Sequence, residues 1–155
     1  MSISHNLAET LISCFEAGGK LIAIGNGGSA SQASHLVAEL VGHFEKPRRA
    51  LPAIALTTDI SVISAVANDD GYKYIFSRQI EALGKPGDVL LILSTSGNSK
   101  NCIQAEFKAR QMGITIRMLP IKGDFDTTAS IQERHLKIIH ETCREIDKYY
   151  AKDTH

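Results

Sequence analysis

Apolar side chains recur at three- and four-residue spacing through Leu7, Leu11, Ile12 and Phe15, marking one face of a helix that the Gly18-Gly19 pair should end. The pattern then changes. Residues 20–25 form a short, almost wholly apolar run, as expected of a strand covered on both faces in a parallel sheet, and the turn Gly25-Asn26-Gly27-Gly28-Ser29 breaks it sharply. Helical spacing returns over 30–44. Residues 52–57 read as a second strand, Thr58-Asp59 as the opening of a helix carrying Ile63 to Ala67, and 68–71 as a turn. A helix over 74–83 should be closed by 84–87 and followed by a third strand at 88–93. After the polar segment 94–99 come a helix over 101–111, a fourth strand over 114–119, a loop over 120–130 and a long terminal helix over 132–150.

Parallel strands need crossover connections, and those connections are usually helical. The alternation therefore predicts an α/β fold, a parallel sheet flanked by helices in a Rossmann-like three-layer arrangement. With no internal repeat, low-complexity tract or linker, residues 1–155 are expected to form one domain.

Composition narrows the function classes. Lys plus Arg and Asp plus Glu are both 17, so no net field draws in nucleic acid or an anionic lipid surface. The same balance removes long-range repulsion between copies, which favours a homo-oligomer. Cys14, Cys102 and Cys143 are odd in number, widely spaced and without a C-x-x-C pair, the usage of buried reduced thiols. No apolar run suits a signal peptide or a membrane span, so a cytoplasmic location is expected.

Two turns carry candidate chemistry, 25–29 and 94–99, each directly after an apolar strand and before a helix. In open parallel sheets ligands bind at the carboxyl ends of the strands. The helix that follows such a turn begins with amides that lack internal partners and form the positive end of its dipole, which suits a phosphate. Ser94, Thr95, Ser96 and Ser99 supply hydroxyl donors, and Gly97 lets the backbone come close. Neither turn completes a P-loop, which needs a lysine, or the G-x-G-x-x-G of a dinucleotide fold. Composition alone leaves ordinary turns as an equal reading, which their pairing after two strands makes less favourable.

Among ionisable groups, His35 and Glu39 lie four apart on one helix face, where H-x-x-x-E can hold a metal ion. That spacing is weak alone, because a histidine beside a carboxylate on a solvated face is commoner. Gln132 and His140 are eight apart, about 12 Å along a helix, and one ion would touch both only between converging side chains. His135, flanked by Arg134 and Lys137, is expected at a solvated edge or against a neighbour.

Together these segments resemble the phosphoheptose isomerases of the sugar-isomerase (SIS) family over nearly the whole chain. The likeness runs through 25–35, 51–59, 67–72, 75–79, Gly87-Asp88-Val89-Leu90-Leu91, 94–99, and Ile131-Gln132-Glu133 followed by His140. The resemblance implies conversion of sedoheptulose 7-phosphate to D-glycero-D-manno-heptose 7-phosphate for bacterial surface glycans such as lipopolysaccharide. It also implies a homotetramer with sites lined by more than one subunit. Ser94, Thr95, Ser96 and Ser99 would grip the phosphate, with Asn26, Gly27, Ser29 and Asp69 orienting the sugar. His35, Glu39, Gln132 and His140 would hold one zinc ion per site, Gln132 also meeting substrate, and Glu39 and His140 would be the acid/base pair. The reaction passes a proton between adjacent carbons through an enediol and so needs a base, an acid and an oxyanion stabiliser.

The sequence departs from the family in length. Its amino-terminal helical segment is shorter, and Pro120 passes quickly to Ile131 where the family carries a further strand–helix unit, so fewer strands than the family norm are expected. His43 and Ser130 stand where the family usually has basic residues. The competing reading is a non-catalytic SIS module that binds a phosphosugar or a partner protein, and it would not need the His35, Glu39, Gln132 and His140 set.

Overall fold

The computed structural model describes residues 1–151. Its elements are α1 Ile3–Glu16, β1 Leu21–Gly25, α2 Gly28–Val41, β2 Ala53–Ala55, α3 Ile60–Asp69, a 3-10 turn Tyr72–Tyr74, α4 Ser77–Leu83, β3 Val89–Leu93, α5 Lys100–Gln111, β4 Thr115–Met118 and α6 Thr128–Tyr150. The four strands are parallel, in the order β2-β1-β3-β4. From β1 the chain first steps outward to β2, then returns to lay β3 on the other side of β1. The sheet's topological switch point therefore lies between β1 and β3, and Gly25 pairs in register with Leu93 there.

Every residue of β1 and β3 is buried, because successive side chains enter opposite layers. Leu21, Ala23, Leu91 and Leu93 pack with Leu11, Phe15, Leu36, Leu40, Ile139 and Ile146 of α1, α2 and α6. Ile22, Ile24, Leu90 and Ile92 pack with Phe76, Ile80, Ala105 and Ala109 beneath α4 and α5. Full burial of a side chain of this kind contributes roughly 1.5–3 kcal/mol, so the two central strands fix the platform on which the turns stand. All three cysteines are buried and free. Burial pushes the Cys102 thiol up to about 11 and the Cys143 thiol up to about 12, which keeps both protonated and inert. Among the described residues, no helix is long and apolar enough to cross a membrane.

Three expectations need correction. The terminal helix starts at Thr128, not at Gln132, because Thr127 and Ser130 form a reciprocal capping box. The stretch expected as one helix over 74–83 is a 3-10 turn followed by the seven-residue α4. His135 is not at a solvated edge. It is fully buried, and its Nε2 lies 2.6 Å from the Pro120 carbonyl oxygen, which can only accept, so Nε2 carries the proton and donates. The apolar stripe Ile131, Ile138, Ile139, Cys143 and Ile146 includes position 135 by helical spacing, and that stripe outweighs the charged neighbours.

This placement has a pH consequence. Burial lowers the His135 pKa from 6.5, the Pro120 hydrogen bond opposing in part, so the folded protein holds the imidazole neutral. A histidine with a depressed folded pKa contributes stability above the unfolded value, and that contribution is lost as pH falls from 6.5 through the folded pKa. Wild-type protein should therefore lose more thermal stability between pH 7.5 and 5.5 than His135→Gln, measured by melting each at both pH values; equal losses would rule the effect out.

Candidate active site

The turns 25–29 and 94–99 leave β1 and β3 side by side at the switch point. Gly25 permits the close approach, since a Cβ there would lie 2.8 Å from the Ser29 backbone and 2.9 Å from the Leu93 carbonyl oxygen. Gly27 adopts φ 56°, in the left-handed region that favours glycine, and lets the chain reverse into α2. In the second turn the Ser94 hydroxyl accepts from the Gly97 amide at 3.0 Å, and the Ser96 hydroxyl accepts from the Asn98 amide at 3.1 Å. Gly97 has φ 73°.

Helix starts differ in a telling way. α1, α3 and α6 are each closed by a side chain, from Ser2, Asp59 and Thr127. α2 and α5, the helices behind the two turns, have no side-chain cap, as is also true of the short α4, although Ser99 occupies the cap position of α5. Ser99 is a residue type that normally caps, so its failure to do so leaves the first amides of α5 open to an anion. A cleft of about 410 Å³ lies beside them, lined by Asn26, Tyr72, Lys73, Ser99, Lys100 and Asn101.

Two and three turns further along α2 stand His35 and Glu39. His140 reaches them from α6, its Nε2 3.5 Å from the His35 Nε2, while the His35 Nε2 lies 3.8 Å from the Glu39 Oε1. Phe44 stacks on the His140 ring at 5.2 Å and 23°, and His35 meets that ring edge-on at 5.2 Å. Thus three members of the expected donor set, 105 residues apart at the extreme, are brought together. Gln132 lies elsewhere on the same pair of helices. Its amide packs on Gly28, where a Cβ would come within 2.6 Å of Nε2, and its backbone carbonyl accepts from Gln32 at 2.8 Å.

Two imidazoles and a carboxylate are a zinc-type donor set. Ligands about 2.0–2.1 Å from a tetrahedral ion stand roughly 3.4 Å apart, close to the 3.5 and 3.8 Å edges seen here. Among the described residues, no three His, Cys, Asp or Glu side chains already enclose one point. His35 therefore lies at that spacing from both His140 and Glu39.

The remaining expected residues fall as follows. Ser29 is buried at the start of α2, Ser94 is buried at the base of its turn, and Thr95 and Ser99 are half-buried. Asp69 sits at the exposed end of α3, accepts from Asn68 at 3.1 Å and is not one of the residues that line the cleft. Asn26 lies at the cleft, but its side chain is tied inside the protein by Asn101 and Tyr72.

Sequence reasoning missed Phe44, read only as the end of a helix, and a buried pair behind it. Arg48 and Asp147 bond at 3.0 Å with both side chains out of solvent. Arg48 also donates to the carbonyls of Glu39, Leu40 and Gly42 at the end of α2, and Asp147 accepts from the Glu45 and Lys46 amides. This network holds the segment that carries Phe44. A buried arginine cannot be told from a surface one by its sequence neighbours Pro47 and Arg49.

Uncapped helix starts at the switch point of a parallel sheet, flanked by a histidine–carboxylate cluster, define an α/β protein of the kind that holds a phosphate ester beside acid/base groups. The chain belongs to the SIS domain family, whose profile matches residues 3–119. It is 48% identical over 158 positions to a protein of Thermoplasma acidophilum named probable phosphoheptose isomerase, covering 93% of this chain and 87% of that one. Two solved structures share its fold, phosphoheptose isomerase GmhA of Neisseria gonorrhoeae (TM-score 0.85, 38% identity) and a phosphoheptose isomerase of Francisella tularensis (TM-score 0.89, 37% identity). Each covers 94% of this chain, which in turn covers 85% of theirs. In the Thermoplasma comparison 93% of 155 residues, about 144, occupy 158 positions, so on the order of fourteen positions of the relative face gaps.

Proposed function

We propose that this protein is a phosphoheptose isomerase, interconverting sedoheptulose 7-phosphate and D-glycero-D-manno-heptose 7-phosphate in the cytoplasm. The observation that carries the reading is the His35–Glu39–His140 cluster on α2, which follows the 25–29 turn, and α6, whose Gln132 packs on Gly28 beside that turn. From Gly28 to His35 is about 10 Å along α2 by the helical rise. A heptose 7-phosphate carries its phosphate and its reacting carbons at opposite ends of an extended chain, and so matches a site with an anion cradle at one end and proton-transfer groups at the other.

In this reading the open amides of α5 and the hydroxyls of Ser94, Thr95, Ser96 and Ser99 hold the phosphate, while Gly27 and Ser29 border the sugar. Glu39 and His140 form the acid/base pair. One removes the C1 proton, the C1–C2 double bond of the enediol forms, and the C2 carbonyl oxygen gains a proton; return of a proton to C2 and loss of one from the C1 hydroxyl complete the aldose. His35, Glu39 and His140 would hold a zinc ion, with Gln132 the fourth candidate, and the ion would polarise the carbonyl. A non-catalytic role is not favoured, because a scaffold has no use for this cluster.

α3 supports an oligomer. Ile63 and Val66 pack on the core beneath the sheet, but Ile60 is 73% exposed and Val62 only half-buried, and a second copy packed there would cover them. Asp69 at the end of that helix would then reach a neighbour's site within a homotetramer. The test is turnover of sedoheptulose 7-phosphate by purified protein with and without a chelator, alongside its mass in solution. Metal-dependent conversion by an oligomer is expected; a folded protein with no turnover after zinc addition would refute the enzyme.

A further inference from the structure

Three segments at the cleft meet at one side-chain junction. Asn26, between β1 and α2, donates from Nδ2 to the Asn101 Oδ1 at 2.9 Å, and its Oδ1 accepts from the Asn101 Nδ2 at 2.8 Å. The same Oδ1 accepts from the Tyr72 hydroxyl at 2.9 Å. Asn101 is the second residue of α5, directly behind the 94–99 turn, and is only 2% exposed. Tyr72 opens the 3-10 turn that follows α3 and is 58% exposed at the cleft.

Both oxygen lone pairs of the Asn26 amide are taken, and one of its N–H groups is bound to Asn101. Beneath the junction lies Cys102, whose thiol burial pushes up to about 11, so the amide pair sits over a poorly solvated floor. Hydrogen bonds there hold geometry more firmly than they would in water. The paired amides span the gap between the first turn and the second, and the tyrosine adds the segment after α3.

We infer that Asn101 and Tyr72 are positioning residues, which act through Asn26 to fix the spacing between the sugar-facing turn at 25–29 and the phosphate-holding turn at 94–99. This deepens the isomerase reading and rests on it. A ligand that touches only the phosphate turn does not sense the spacing. A ligand that spans both turns does, because its reacting end is registered against its phosphate by the distance between them.

Tyr72→Phe tests this at small structural cost, since it removes one hydroxyl from a half-exposed ring. The variant's kcat/KM for sedoheptulose 7-phosphate should fall about five- to tenfold, with its melting temperature lowered by no more than a few degrees, the worth of one such hydrogen bond. Its inhibition constant for inorganic phosphate, which needs only the second turn, should match that of the wild type. Asn101→Ala, which removes both hydrogen bonds to Asn26 without adding a charge beside the phosphate turn, should show the same split more strongly. Unchanged kcat/KM in both variants overturns the inference. So does a parallel loss of inorganic phosphate binding, which would make the junction a simple support of the phosphate turn. Should the wild type bind but not turn over the sugar phosphate, the reaction assignment fails, and the ratio of sugar-phosphate to inorganic-phosphate affinity by calorimetry still reads the junction.

Discussion

Glu39→Gln should lower turnover of sedoheptulose 7-phosphate by about 10²–10⁴-fold, the usual contribution of one positioned acid or base. The Glu39 side chain is about a quarter exposed and makes a single long contact with His35 at 3.8 Å, so the substitution removes little that holds the fold. Stability should stay within about 0.5 kcal/mol of wild type. His140→Asn should abolish turnover to a similar degree, with a somewhat larger stability loss because Phe44 and His35 both pack on its ring. The decisive comparison is between catalysis and phosphate binding. Both variants should retain inorganic phosphate affinity, because the turn at 94–99 runs from β3 into α5 and neither side chain, on α2 and α6, belongs to it. If either variant keeps more than about a tenth of wild-type turnover, that residue is not a catalytic acid or base. Metal content, measured on the same preparations, separates two routes to inactivity: loss of an ion shared by three side chains, or loss of the proton-transfer group with the ion retained.

What the sequence disclosed, it disclosed through period and punctuation. The almost wholly apolar runs at 20–25 and 88–93 read as doubly covered strands, and they became the two fully buried strands of the sheet. The glycine and serine turns after them were legible because special backbone conformations and helix starts require particular residue types. His35 and Glu39 were legible as a pair because they share one helix face. Their meeting with His140 depended on how α6 lies along α2, which no local spacing encodes. The four-residue error at the start of α6 came from reading Thr127 and Ser130 as loop residues when they form a cap. Position 135 was misjudged by its charged neighbours, though Ile131, Ile138, Ile139 and Cys143 already placed it on the buried stripe. Asn101 gave no signal at all: in sequence it is one more polar residue at a helix start, and its role exists only through Asn26, 75 residues away.

Asp147→Asn carries the largest expected effect on stability. The Asp147 and Arg48 side chains are both removed from water, so loss of the carboxylate charge strands a buried guanidinium, at a cost of about 3–5 kcal/mol. For a chain of this length that corresponds to a fall in Tm of roughly 10 °C. Replacing both partners with apolar residues, Arg48→Met with Asp147→Leu, should recover only part of the loss. In many buried pairs such a double change is nearly neutral, but here Asp147 also accepts the Glu45 and Lys46 amides, and Arg48 caps the carbonyls that end α2. Those groups would be left without partners. The pair's effect should reach the active site through Phe44, which lies between Gly42 and Glu45 in the segment that the network holds and stacks on His140. Activity of the double variant, assayed well below its melting temperature, should therefore drop along with stability. Full recovery of both Tm and turnover in the double variant would show that the segment keeps its place by packing alone and that the buried ion pair is dispensable.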